Sequence, residues 1–159
     1  MIQILHCSDI HLETSFAEIG FSSSLGTKLR SELRSTLGGI LSEVRRLNVD
    51  AVTIAGDLFE QANCVPDTAR FLVQQFERMG ATRVFIAPGA RDPYGPRSLY
   101  AQTRWPDNVH VFSQADLEPV LLSESVTIWG GACPVAIHDS WRGQIKTSRH
   151  TANILLAHA

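Results

Sequence analysis

The sequence predicts an α/β fold built on a parallel sheet, and three observations carry that prediction. Residues 2–6, 51–55 and 83–87 are short runs, apolar enough for strands buried on both faces. Between them lie two segments with apolar residues at a 3.6-residue period, over roughly 27–47 and from Pro66 to Gly80. The resulting order, strand–helix–strand–helix–strand over the first 92 residues, implies parallel neighbours joined by right-handed crossovers.

The bulk numbers set the frame. A chain of 159 residues that is 44% hydrophobic and 19% charged has the length and composition of one ordinary globular domain. Its net charge of −2 gives no global positive field toward nucleic acid or anionic membrane, though a local basic groove is compatible with it. The three cysteines, Cys7, Cys64 and Cys133, cannot all pair and form no Cys-x-x-Cys, which points to a reducing compartment and away from a thiolate zinc site. The N-terminal apolar run is too short for a signal-peptide core, and no stretch nears the ~20 apolar residues of a membrane span. A cytoplasmic protein without membrane contact is the expectation.

Each element then brings polar residues to its end. The first strand runs into Cys7-Ser8-Asp9-Ile10-His11-Leu12. On an extended backbone Asp9 and His11, at i and i+2, would point the same way. A region rich in Ser and Gly comes next, through Gly26. The helix over 27–47 puts Leu29, Leu33, Leu37, Ile40, Leu41, Val44 and Leu47 on one face, and Asn48 is its expected stop. Gly38-Gly39 weakens its middle by ~1 kcal/mol per glycine, a cost that close packing on the sheet would explain. The central strand stops at Gly56, where the backbone can turn sharply, and Asp57 stands directly after it. Pro66 suits the first position of the second helix. The third strand breaks at Pro88-Gly89 and delivers Arg91 and Asp92. Val109–Phe112 reads as a short strand, and Pro119–Leu122 with Val126–Trp129 as an antiparallel pair turning at Ser123-Glu124-Ser125. Asn153–Ala157 is a last buried strand, and it presents His158.

Four strand ends thus bring Asp9 with His11, Asp57, Arg91 with Asp92, and His158 to the carboxyl edge of one sheet, where open α/β sheets hold their sites. Aspartate and histidine suit borderline divalent ions such as Mn²⁺, Fe²⁺ and Zn²⁺. A carboxylate on the central strand can bridge two ions ~3.5–4 Å apart, an arrangement that activates a water and binds phosphoryl oxygens. Taken singly, each piece has a plainer reading: a chance Asp-x-His, a turn aspartate, a rim histidine. The metal reading comes from their order and their common place after buried strands.

The strings His6-Cys7-Ser8-Asp9-Ile10-His11-Leu12, Gly56-Asp57-Leu58-Phe59-Glu60, Pro88-Gly89-Ala90-Arg91-Asp92-Pro93 and Leu155-Leu156-Ala157-His158 together resemble the calcineurin-like metallophosphoesterases. Within them the closest likeness is to the DNA-repair exonuclease branch, the SbcD-like nuclease subunits, through the histidine before Ser-Asp, the Asp-Leu-Phe-acid form and His11-Leu12-Glu13-Thr14-Ser15-Phe16. The resemblance implies a two-sheet sandwich flanked by helices. It implies hydrolysis of phosphodiesters, with DNA as substrate and two Mn²⁺ favoured as cofactors. Asp9 and His11 would bind the first metal, Asp57 would bridge, and His158 would bind the second. A homodimer and an SMC-like ATPase partner are further implications.

Two departures qualify that expectation. The family's third motif is Gly-Asn-His-Asp, and here it reads Gly89-Ala90-Arg91-Asp92. Ala90 has no atom to coordinate a metal. Arg91 can stabilise a phosphoryl anion but cannot act as a general acid. Asp92 is left to pair with Arg91 or to serve as a turn residue before Pro93. Arg91 and Asp92 are therefore the catalytic candidates of an activity expected to be low. The closing Gly-His-x-His motif is absent, and the chain stops one residue past a buried strand, so a C-terminal truncation is expected. One rival reading is a non-catalytic scaffold that binds DNA or an ATPase partner, and another is a phosphoesterase for nucleotides or small phosphoesters, which the absence of a net basic charge leaves open.

Other residues receive plainer assignments. His110 and His138 are expected at the surface or rim, His6 as a hydrogen-bonded strand residue, and Glu60 as a cap or solvated acid in preference to one that touches the site. Trp105, Trp129 and Trp141 could stack on bases, with a core role for one or more as the safer expectation. The basic run Arg142–His150 reads as a solvated loop, and Arg91 and Arg97 are better candidates for phosphate contact.

Overall fold

The structure, a computed structural model, describes residues 1–17, 19–132, 141, 143–145 and 151–158. Four parallel strands form the first sheet: β1 (Ile4–Cys7), β2 (Ala51–Ala55), β3 (Arg83–Ala87) and β4 (Val109–Val111), in the order β1-β2-β3-β4. The second sheet has the order β5-β6-β7, with β5 (Glu118–Ser123) antiparallel and β7 (Ala152–Leu156) parallel to β6 (Val126–Gly130). The described α-helices are α1 (Ser23–Leu47), α2 (Pro66–Glu77) and the short α3 (Leu99–Gln102). The chain thus has the mixed two-sheet, helix-flanked architecture that the sequence resemblance implies.

The side chains of β2 and β3 show why their runs are apolar throughout. Val52, Ile54, Val84 and Ile86 pack toward the helices, in one core with Leu37, Leu41, Val44, Leu72 and Phe76. Ala51, Ala55, Phe85 and Ala87 face the other way, in a second core with Val126, Ile128 and Leu156 of the second sheet and with Phe112. Both faces are buried, so the period-2 polar alternation of a one-sided sheet cannot appear. Gly130 is fixed by the same packing, because a Cβ there would enter the Phe112 ring.

Helix α1 starts four residues earlier than its apolar period suggests. Ser22 caps it by accepting from the Leu25 amide, which turns the serines of that stretch into a helix start. It stops at Asn48, as expected, in a left-handed conformation, with Arg45 and Arg46 in the last turn where they complement the helix dipole. Leu47, expected on the packed face, is 48% exposed. The glycine pair is also not a packing device. A Cβ on Gly39 would meet nothing within 4 Å, and one on Gly38 would meet only the Gln75 amide oxygen, at 3.9 Å. Neither glycine approaches the sheet.

Trp141 is buried, with its indole N–H donating to the Ala115 carbonyl, and Trp105 packs beside Phe76 and Tyr100. Trp129 donates to Asn153 across the second sheet. His138, Cys133 and the basic positions Arg142, Lys146, Arg149 and His150 lie outside the described residues. No described helix is long and apolar enough to cross a membrane.

Candidate metal centre

Two loops at the carboxyl edge of the first sheet are stitched together as a continuation of the β1–β2 ladder. The amides of Asp9, His11 and Leu12 donate to the carbonyls of Gly56, Asp57 and Leu58, at 3.1, 2.9 and 3.0 Å. The Glu60 amide returns a bond to the Leu12 carbonyl at 2.8 Å. The backbone between these bonds is not extended: Asp9, His11, Glu13 and Asp57 all sit at positive φ, between 50° and 68°. The side chains of Asp9 and His11 do meet, but through this left-handed geometry rather than the i, i+2 alternation of a strand. Left-handed residues other than glycine cost on the order of 1–3 kcal/mol each, and they persist only where surrounding contacts over-determine them. The stitched ladder supplies those contacts.

Asp57 is the centre of the arrangement. One carboxylate oxygen, Oδ1, accepts from the Arg91 amide at 2.8 Å. The other, Oδ2, faces two imidazoles, with His11 Nε2 at 3.8 Å and His158 Nε2 at 3.6 Å. His11 Nε2 also lies 3.7 Å from Asp9 Oδ1. Ligand atoms of Asp9, Asp57 and His158 all lie within 4.8 Å of one another.

Both imidazoles are oriented through their other nitrogen. His158 Nδ1 sits 3.0 Å from the Ala55 carbonyl, and His11 Nδ1 sits 2.8 Å from Glu60 Oε1. An acceptor at Nδ1 holds the proton there and leaves the Nε2 lone pair toward Asp57, as metal-binding histidines require. Glu60, read from sequence as a cap or solvated acid, is thus the residue that aims His11. Its signal is present in the sequence as the acid closing Gly-Asp-Leu-Phe-Glu, but the contact arises only when the two loops pair.

The donor set fits divalent cations. It is all oxygen and imidazole nitrogen, two carboxylates converge with little positive compensation, and Asp57 Oδ2 is free to bridge. Two glycines make room for it. A Cβ on Gly56, itself at φ +72°, would stand 2.6 Å from the His158 side chain, and one on Gly89 would stand 2.6 Å from the Asp57 amide. Only glycine allows these approaches.

The third loop is divided in its roles. Asp92 is fully buried, and its carboxylate accepts from the amides of Asp57, Leu58 and Gly89, at 3.0, 2.8 and 2.6 Å, and from the Tyr100 hydroxyl at 2.6 Å. Four donors on one carboxylate leave it no capacity for the reacting atoms. Asp92, offered from sequence as a catalytic candidate, is in place a positioning residue for Asp57, and among the described residues it forms no ion pair with Arg91. Burial, then the Asp92 charge, raises the Tyr100 pKa well above its usual value, so the phenol keeps the proton it donates. Tyr100 in turn packs on Phe59 and Trp105. Sequence offers no sign of this pairing. Ala90 and the Arg91 side chain, by contrast, are exposed at the loop tip, as is Arg97.

His6 bonds Thr53 through Nδ1 at 2.9 Å, within the sheet. His110 lies off the site edge, half-buried between Phe85 and Phe112, where loss of solvation lowers its pKa. Burial pushes the Cys7 thiol up to about 11 and Cys64 up to about 12.

Comparison with known proteins decides the family. The profile described as Calcineurin-like phosphoesterase matches residues 2–159. The chain belongs to the calcineurin-like phosphoesterase family. It is also 29% identical over 117 residues to the "Uncharacterized metallophosphoesterase YhaO" of Bacillus subtilis (strain 168). That match covers 72% of this chain and 28% of the relative, so the chain spans only part of that protein's length. The family's chemistry is metal-dependent phosphoester hydrolysis, and the Asp/His cluster at the sheet edge is where a calcineurin-like phosphoesterase fold would hold its metal.

Proposed function

We propose that this sheet edge hydrolyses phosphodiesters of DNA with two Mn²⁺ ions, in the manner of the SbcD-like exonuclease branch it resembles. The observation that carries the reading is the convergence of His11 Nε2 and His158 Nε2 on the one free oxygen of Asp57. In that reading Asp9, His11 and Asp57 hold one ion, and Asp57 and His158 the other. Such ions supply an activated water and neutralise charge on the phosphoryl oxygens. The chain's own residues hold and orient them: Glu60 and the Ala55 carbonyl aim the imidazoles, and Asp92 and Gly89 set the Asp57 backbone. The exposed Arg91 guanidinium, beside Asp57 through its backbone, is placed to contact a substrate phosphate. Because a guanidinium does not release its protons near neutral pH, Arg91 cannot act as a general acid to the departing oxygen, which supports a low rate.

The test compares Mn²⁺-dependent hydrolysis of duplex DNA with that of a cyclic nucleotide, for the wild type and Asp57→Asn. Cleavage of DNA in preference, lost in the variant, is the expected result. Preference for the cyclic nucleotide would overturn the DNA assignment. One observation favours a second reading, a non-catalytic scaffold for DNA or an ATPase partner: the exposed Ala90 offers no ligand atom where the family has an asparagine. In that case Ala90→Asn with Arg91→His leaves hydrolysis at background. Under the enzyme reading the same double change raises turnover by about 100-fold or more, the scale of a recovered general acid.

A further inference from the structure

We infer that Glu13, gripped by Arg34, is a positioning residue that holds the first loop in the geometry presenting Asp9 and His11, an inference that rests on the metal-centre reading. The ladder that fixes this loop ends at Leu12, whose carbonyl accepts from the Glu60 amide. Glu13 lies just past that last rung. Its backbone is nonetheless left-handed, at φ 68°, the largest positive φ of any non-glycine among the described residues. Such a residue keeps that conformation only where its surroundings hold it. Two contacts from different parts of the fold do so. Glu13 Oε1 accepts from Arg34 Nε at 3.1 Å and from Arg34 Nη2 at 2.6 Å. The Glu13 carbonyl accepts from the Asn63 side-chain amide at 3.1 Å.

The grip comes from the helical side of the first sheet. The Glu13 side chain is 10% exposed and that of Arg34 25%, so this pair is screened far less than an ion pair in open solvent. Arg34 is itself held. Its Nη1 donates to Asp67 at 2.6 Å, and its guanidinium lies 5.1 Å from the centre of the Phe71 ring. Helices α1 and α2 thus bear on the loop through one side chain. Asn63 reaches the other side of His11. Its backbone amide donates to the carbonyl of Glu60 at 2.9 Å, and Glu60 is the acid that aims the His11 ring. Thr14 closes the turn between, its amide and hydroxyl both donating to the His11 carbonyl, at 3.3 and 2.7 Å. His11 is bracketed by the ladder on one side and by the Glu13 contacts on the other. Releasing Glu13 frees the far end of the loop. Asp9 and His11, which meet only through its left-handed backbone, would then lose their common orientation.

The test measures the loop and the metal separately, by amide hydrogen exchange of the chain in EDTA and by calorimetric titration with Mn²⁺. Glu13→Ala should speed exchange of the His11 and Leu12 amides about tenfold or more, while the β2 and β3 amides keep their protection. It should weaken Mn²⁺ binding about tenfold, the low end of the scale for groups that orient a ligand. Glu13→Gln keeps an oxygen that accepts from Arg34, and should stay within about threefold of the wild type in both readouts. Asn63→Ala, an exposed change that spares the fold, should also speed exchange of the two loop amides, by about threefold or more. Arg46→Gln, which breaks an exposed ion pair on the same helix, should change neither readout. Unchanged Mn²⁺ affinity in a folded Glu13→Ala would overturn the inference, even with a lowered melting temperature, since Glu13 would then be structural alone. Unchanged loop exchange in both alanine variants would overturn it as well. Faster loop exchange in the variants beside a folded wild type that binds no Mn²⁺ would instead overturn the metal-centre reading and leave the hold on the loop supported.

Discussion

The second and third loops at the sheet edge lie side by side and could hardly be built more differently. The Gly56–Glu60 loop is buried, laddered to the first loop, and held from below by Asp92, so its carboxylate has one position. The Gly89–Asp92 loop shares the same anchor but ends in an exposed tip, Ala90 and Arg91. The part that fixes the proposed bridging ligand is over-determined, and the part that would meet the leaving group is open. Over-determination of this kind is what holds left-handed Asp57 and Asp9 in place. An open tip can change its side chains without disturbing the anchor, which is how the third motif differs while the fold beneath it stays whole.

Breaking the anchor should have the largest effect on stability. Asp92→Ala strands three backbone amides and the Tyr100 hydroxyl in a buried place, at a cost of about 3–5 kcal/mol. Urea unfolding should show it as a lower midpoint. Tyr100→Phe removes one charge-assisted hydrogen bond, worth about 1.5–3 kcal/mol. It should also change the alkaline limb. The folded phenol ionises well above its usual range, so its contribution is full below pH ~10 and is lost as pH rises toward the folded value. The variant should flatten that decline. Asp92→Ala that melts like the wild type would mean the two loops are independent after all.

Smaller changes sharpen the comparison. Glu60→Ala removes the acceptor at His11 Nδ1 and frees the ring, and should lower metal affinity by about 10–100-fold, the usual scale for an orienting partner. Calorimetry would read it directly. On α1, away from both loops, Gly39→Ala should raise stability by up to about 1 kcal/mol, because its Cβ enters open space. Last, Cys64 should react with a thiol reagent at pH 8 far more slowly than a free cysteine, since burial holds its pKa near 12.

Much of this is legible in the sequence. Apolar runs that stop at a glycine or turn identify buried strands, and the residues just past such a strand land at the sheet edge. Asp9, His11, Asp57 and His158 can be placed on that basis before any coordinates. The convergence is right for two wrong reasons: the extended backbone expected at Asp9 and His11, and the single sheet expected to carry all four strands, since His158 follows β7 of the second sheet. Positive φ at an aspartate or histidine is set by the ladder around it and leaves no local mark. Asp92 and Tyr100 are opaque for a related reason. Their bond joins a loop to a short helix across a core, and only the packed fold brings them to 2.6 Å. The bare glycines of α1 mislead because a glycine in a helix suggests close packing, whereas these face a groove and open space.

The central claim is that Asp57 Oδ2, flanked by His11 and His158, forms a divalent metal site. The most direct test is a calorimetric Mn²⁺ titration of the chain beside Asp57→Asn, with circular dichroism confirming both folds. The account predicts saturable binding by the wild type and a loss on the order of 100-fold or more in the variant. Equal binding by both proteins, or no binding by a folded wild type, would contradict it.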